Sequence, residues 1–192
     1  PYAKFFRSIS FLGCLSCLLF TFSVMIVFSV LSPFILQDHF GISVVHYGQI
    51  VLLIGLAYLI GTVMNNRLLH WISSNSIVLI GCAIMFIGSF ALLAVNYFGH
   101  NDAMWTTVLT AVTVVGTGFI FPNCYAYCLG LFPGNAGFAA ALIGSVSLLG
   151  VFSVSAIISH INASAMSRLI FGNISMSVLT LFGFSIAMLR KS

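Results

Sequence analysis

The sequence predicts an all-α membrane protein: six transmembrane helices arranged as a 3+3 inverted repeat. Three observations carry this reading. Of 192 residues, 61% are hydrophobic and only 4% are charged, with a mean hydropathy of +1.20, whereas a soluble domain carries roughly 25% charged residues. Apolar runs recur at lengths that cross about 30 Å of hydrocarbon as helices and exceed the roughly 9–11 residues of a tilted strand. Residues that control backbone shape return at one fixed spacing. In water so uncharged a surface would aggregate; hydrocarbon accepts it, provided every backbone polar group is paired within a helix or a closed barrel.

The spans follow in order. The first, Ile9 to Leu36, comes after Lys4 and Arg7 and carries Pro33 near its end. The second, Tyr47 to Met64, lies between Asp38 and Arg67, and the third runs from Ile77 to Phe98. The fourth, Met104 to Leu131, follows Asp102 and contains Pro122 and Asn123; the tight stretch "FPGN" closes it. The fifth covers Phe138 to Ile158, and the sixth, Leu169 to Leu189, sits between Arg168 and the pair Arg190 and Lys191. Six spans return the chain to its starting side. Five of the six Lys and Arg residues fall on that side, while Arg168 shares the other with both acids, Asp38 and Asp102. Positive-inside bias therefore places both termini in the cytoplasm, and the net charge of +4 is a topology signal rather than a nucleic-acid surface. The chain opens on Pro1, and its first apolar run is too long for a signal peptide, so a fragment or a processed piece is expected.

Cys14, Cys17, Cys82, Cys124 and Cys128 all fall within spans. "CLSC" has zinc-like or redox spacing, but no second CxxC or His stands near it in the sequence, so small buried packing residues are expected.

An internal repeat stands out. An offset of 89 residues carries "LIGLAYLIG" from Leu53 onto "LIGSVSLLG" from Leu142, and with it Pro33 onto Pro122, Gly41 onto Gly130, Gly48 onto Gly137, Gly55 onto Gly144 and Gly61 onto Gly150. The matches concentrate in residues that other apolar side chains cannot replace. Because the offset spans three crossings, the second copy (about 104–189) is upside down relative to the first (about 9–98). Inverted repeats of this kind give transporters two alternative states of one fold. Pro33 and Pro122 then lie near opposite faces as candidate gates, and Gly55, Gly61, Gly144 and Gly150 are expected to let helix backbones approach closely.

With this architecture the chain resembles one half of a major facilitator transporter, and more narrowly the C-terminal six-helix half of a Bcr/CflA-type drug-resistance protein. The likeness rests on "SPFILQDHFGISVVHYG" from Ser32, "GTVMNNRLL" from Gly61 and "NAGFAAALIGS" from Asn135, and it spans nearly the whole chain. It implies a twelve-span antiporter in the bacterial inner membrane that expels hydrophobic small molecules in exchange for protons, with an N-terminal six-helix half as partner and no cofactor. In that family Asn65 and Arg67 fall in the cytoplasmic loop motif, where Asn65 stands at a position often held by Asp. Asn123, following Pro122, is the leading cavity candidate, since an amide in an apolar helix must find a partner or water. Tyr125 and Tyr127 point to different faces, so one of them at most lines a pore. Ser32 joins the candidate cavity set, with Ser23, Ser145 and Ser147 behind it, and Phe28, Phe34 and Phe119 suit an aromatic pocket.

No Asp, Glu, Lys or Arg lies deep in any span, and His39, His46, His70, His100 and His160 stand in loops or at span ends. The coupling carboxylate is therefore expected in the other half. The alternatives are a facilitator for a metabolite or siderophore, and a non-transporting half-length scaffold; an enzyme is not expected, since no catalytic constellation is present. The topology makes a direct prediction. Single-cysteine labels at Asp38 and Gly134 should react from opposite sides of the bilayer, and labelling from one side would refute the inverted repeat.

Overall fold

The computed structural model describes residues 8–99 and 102–188. Among the described residues there are six long α-helices: α1 (Ile9–Ser32), continued by a π-helical segment (Pro33–His39), α2 (Val44–Leu68), α3 (Ser74–Tyr97), α4 (Ala103–Gly130), α5 (Ala136–His160), preceded by a short 3₁₀ turn (Pro133–Asn135), and α6 (Ala165–Met188). Each is long and apolar enough to cross a membrane. The protein is a multi-pass integral membrane protein. Of the basic residues used for orientation, Lys4, Arg7, Arg190 and Lys191 lie outside the described residues, as does His100.

Helices α2, α3 and α6 start three or four residues earlier than their apolar runs, and the reason is capping. Ser43, Ser73 and Ser164 each accept a hydrogen bond from the backbone amide three residues on, which satisfies a donor that the helix start leaves free. Asp102 does the same for α4 through a 2.7 Å bond from the Trp105 amide. At the other end of α1, Pro33 has no N–H to give, and the ladder beyond it widens into the π-helical segment. Gly41, at φ +67°, turns the chain out of that segment, and Gly99, at φ +75°, ends α3. Pro122 behaves differently: α4 passes through it without a break in its helical run.

The packing is reciprocal between the two three-helix units. Helices α1 and α4 occupy the centre and touch each other. Helix α1 packs most closely on α6, and α4 on α3; α2 lies against α4, and α5 against α1. Exchanging the units leaves this pattern unchanged. Glycines set the closest approaches. A Cβ on Gly116 would stand 2.6 Å from the carbonyl oxygen of Gly81, one on Gly118 would stand 2.9 Å from the Cα of Gly61, and one on Gly13 would stand 2.6 Å from the Ala187 nitrogen. In lipid, where apolar burial supplies little drive between helices, such backbone contact maximises dispersion.

The repeat glycines divide in matched pairs. Gly61 meets the backbone of α4 at Val115 and Gly118, and Gly150 meets the Leu19 side chain of α1, so each packs on the central helix of the other unit. Gly55 and Gly144, expected at close helix contacts, instead face open space, as do Gly48 and Gly137. The outer faces of α2 and α5 carry them. Of the residues in their most apolar stretches, α2 buries 17% and α5 buries 22%, against 44–56% in the other four helices. The prediction follows from the contrast. Gly61→Leu should lower thermal stability by an amount on the order of 1–3 kcal/mol or more, whereas Gly144→Leu should leave the melting temperature of the purified six-helix unit unchanged.

Candidate functional site

At mid-helix, α1, α2 and α4 enclose a pocket of about 190 Å³ lined by Thr21, Phe22, Met25, Tyr58, Thr117 and Phe121. Helical spacing builds the lining: Thr21 and Met25 are four apart, as are Thr117 and Phe121, so each pair shares a face. Three rings run along one side. Phe121 meets Phe22 at 6.1 Å between centroids and stacks on Tyr125 at 6.0 Å with 16° between planes. The Thr117 hydroxyl is occupied by the Val114 carbonyl at 2.7 Å. The Thr21 hydroxyl is buried and has no hydrogen-bond partner among the described residues. The pocket therefore offers aromatic and thioether surface with the Thr21 hydroxyl and the Tyr58 phenol at its wall, and no acidic or basic side chain lines it.

A second feature lies toward the end of the molecule where α2 finishes and α3 starts. Asn123 is 6% exposed. Its side-chain amide donates to Asn65 Oδ1 and, at 2.7 Å, to the Phe119 carbonyl, and its Oδ1 accepts from Ser74 Oγ at 2.8 Å. One side chain thus ties α2, α3 and α4 together. A groove of about 340 Å³ opens beside it between α2 and α4, with Thr62, Asn66, Pro122 and Ala126 on its walls. Pro122 cannot donate to the carbonyl four residues back, so the Asn123 side chain reinforces the helix where its ladder is thinnest.

The structure redistributes the residues singled out by sequence. Asn123 lines one wall of the groove, as a cavity residue would, while its side chain also makes two interhelical bonds and one bond back to its own helix. Phe28 and Phe119, expected in an aromatic pocket, are 3% and 2% exposed and belong to helix packing. Ser32 is buried near the Asp38 end, where its hydroxyl lies 3.1 Å from that of Tyr47. Phe34 is exposed beyond it. Ser23 bonds back to the Leu19 carbonyl, Ser145 is exposed and Ser147 is buried. Tyr125 reaches the mid-helix ring stack; Tyr127 is half-buried on another side of α4. Pro33 and Pro122 stand toward opposite ends of the bundle, each beside a pocket or helix junction. Arg67 is exposed in the last turn of α2 and makes no ion pair with any described residue, whereas Arg168 donates to the Ser159 carbonyl at the end of α5.

Sequence reasoning missed Thr21, Phe22, Met25, Tyr58, Thr117 and Phe121. Their i, i+4 spacing was visible, but in chains apolar on every side that spacing recurs on many faces.

The Major Facilitator Superfamily model matches residues 1–155. The chain belongs to the major facilitator superfamily. No curated protein matches it, and no solved structure does. As a superfamily member the protein is a membrane transporter.

The network around Asn123 makes a prediction. Asn123→Leu removes three interhelical or helix-supporting bonds, each worth about 0.6 kcal/mol in a membrane, and strands Asn65 and Ser74. Thermal unfolding in detergent should shift down by several degrees; an unchanged melting temperature would show that the network is dispensable.

Proposed function

We propose that this transporter unit is the C-terminal half of a secondary active multidrug efflux protein of the Bcr/CflA type, exchanging hydrophobic molecules for protons by alternating access across the bacterial inner membrane. The observation that carries the substrate reading is the mid-helix pocket of Phe22, Met25, Tyr58 and Phe121, with Tyr125 continuing the ring stack. A pocket of rings and a thioether gains affinity from area and stacking and is tolerant of substrate shape. A site for a sugar or a siderophore would need several convergent hydrogen-bonding groups, and here the lining offers the Thr21 hydroxyl and the Tyr58 phenol, the Thr117 hydroxyl being held by the Val114 carbonyl. This favours drug-like substrates over metabolites.

A second six-helix unit completes the cavity in this proposal. The little-buried faces of α2 and α5, with Gly48, Gly55, Gly137 and Gly144 open along them, support its docking there. The proton-carrying carboxylate belongs to that unit, because both acids of this chain stand at helix ends: Asp102 caps α4 and Asp38 is exposed. In this reading the Asn65 end is cytoplasmic, and α2 and α4 part there when the cavity opens inward. Segments 9–98 and 104–189 act as the two copies of an inverted repeat, and the matched surroundings of Gly61 and Gly150 support that division.

The test uses cells carrying the complete transporter. Phe22→Ala and Phe121→Ala should each weaken recognition of a planar lipophilic dye about 2- to 10-fold, the equivalent of roughly 0.5–1.5 kcal/mol per ring contact, as a raised KM for efflux with expression unchanged. Dye efflux that is indifferent to both substitutions would remove the pocket from the substrate path.

A further inference from the structure

The five cysteines, dispersed through three helices in the sequence, meet in one buried cluster of the core. Two pairs organise it. Cys14 and Cys17 are three apart on α1, and Cys124 and Cys128 are four apart on α4, so each pair shares one helix face. These faces oppose each other: the Cys17 and Cys124 sulphurs are 3.5 Å apart, and Cys14 is hydrogen-bonded to both Cys124 and Cys128. Need for a small packing residue accounts for each burial singly. It does not by itself call for thiol to meet thiol across the central helix pair. Among the described residues no group of three or more His, Cys, Asp or Glu has an arrangement suited to a metal ion, so the chemistry left to the cluster is between sulphurs.

We propose that Cys17 and Cys124 form a reversible redox pair whose disulfide ties α1 to α4. The sulphurs need close by only the difference between contact distance and a bond of about 2.05 Å. The oxidant is a small peroxide. One thiol sulphur takes an oxygen from hydrogen peroxide to give a sulfenic acid and a water; the second displaces that oxygen as another water, forming the S–S bond. Two S–H bonds and one O–O bond break, one S–S and two O–H bonds form, and two electrons pass from sulphur to oxygen. A dithiol reductant reverses the step. Access comes through the mid-helix pocket. Thr21, on the pocket wall, stands one helical turn from Cys17, and Phe121 three residues before Cys124, so the lining residues of that pocket are one turn, about 5.4 Å along the axis, from the pair.

The position of the pair gives the bond a mechanical consequence. Cys124 follows Pro122 by two residues, so the disulfide would hold the part of α4 beyond the proline against α1 and prevent any bend there. That consequence rests on the alternating-access reading; formation of the bond does not.

A protease site inserted after Gly99, between α3 and α4, separates Cys14, Cys17 and Cys82 from Cys124 and Cys128 when it is cut. In membranes of cells expressing the full protein, peroxide treatment should leave the two fragments as one band on a non-reducing gel, and reductant should part them. Peptide mapping of the unaltered chain should find Cys17 joined to Cys124. Cys82→Ser should keep the linked band and Cys17→Ser should lose it. Fragments that part without reductant after peroxide, or a linkage that persists in Cys17→Ser, would overturn the proposal. Efflux measured on the same membranes tests the hinge separately: it should fall with peroxide and recover with reductant, and an unchanged rate with the bond formed would refute the hinge while leaving the sulphur pair standing.

Discussion

The contact between Gly61 and Gly118 sets where α2 stands against α4, and much of the molecule depends on it. With side chains absent from both surfaces, backbone meets backbone. That closeness brings Asn65, one turn further along α2, within reach of Asn123, and it brings Tyr58, one turn back, to the pocket wall beside Thr117 and Phe121. A polar network and an apolar pocket therefore hang from one crossing. The same device recurs at Gly81 with Gly116 and at Gly13 with Gly183, so the two central helices are each held against neighbours at van der Waals limits.

Between the rigid crossings lies a weaker element. Pro122 interrupts the hydrogen-bond ladder of α4, and the residues on either side of it serve different ends: Phe121 faces the pocket, Asn123 ties three helices, and Cys124 meets the thiols of α1. A change in the pocket is thus covalently adjacent to the bonds that hold the end of the bundle. In a two-state machine such adjacency lets a ligand bias a gate by its differential contacts in the two states. Pro33 occupies the corresponding place in the other unit but resolves its missing donor through π-helical turns, so the two prolines share position without sharing geometry.

Much of this was legible in one dimension. Hydropathy located every span to within a few residues, and the small displacements at α2, α3 and α6 trace to serine caps that a hydropathy window does not weigh. Gly61 and Gly150, related by the 89-residue offset, each pack on a central helix, Gly61 against the backbone of α4 and Gly150 against the Leu19 side chain of α1. Residue type alone does not place a side chain: Phe28 and Phe119 are buried and Gly55 and Gly144 face open space, because a Phe against a neighbouring helix and a Phe against lipid are equally well solvated, and a glycine at a crossing looks the same in sequence as one facing open space. Asn123 was recognised as a residue that must find a partner; that its partners would be Asn65 and Ser74, far away along the chain, depended on three helices meeting.

The sequence alone therefore determined the membrane as solvent and the number and approximate limits of the helices, because each of these follows from composition and spacing along the chain. Only the tertiary structure decided which face of each helix turns inward, and with it the pocket, the amide network and the meeting of five thiols. In water an amphipathic stripe would have announced those faces. In lipid, helices are apolar on every side, and side-chain shape at the crossings makes the choice.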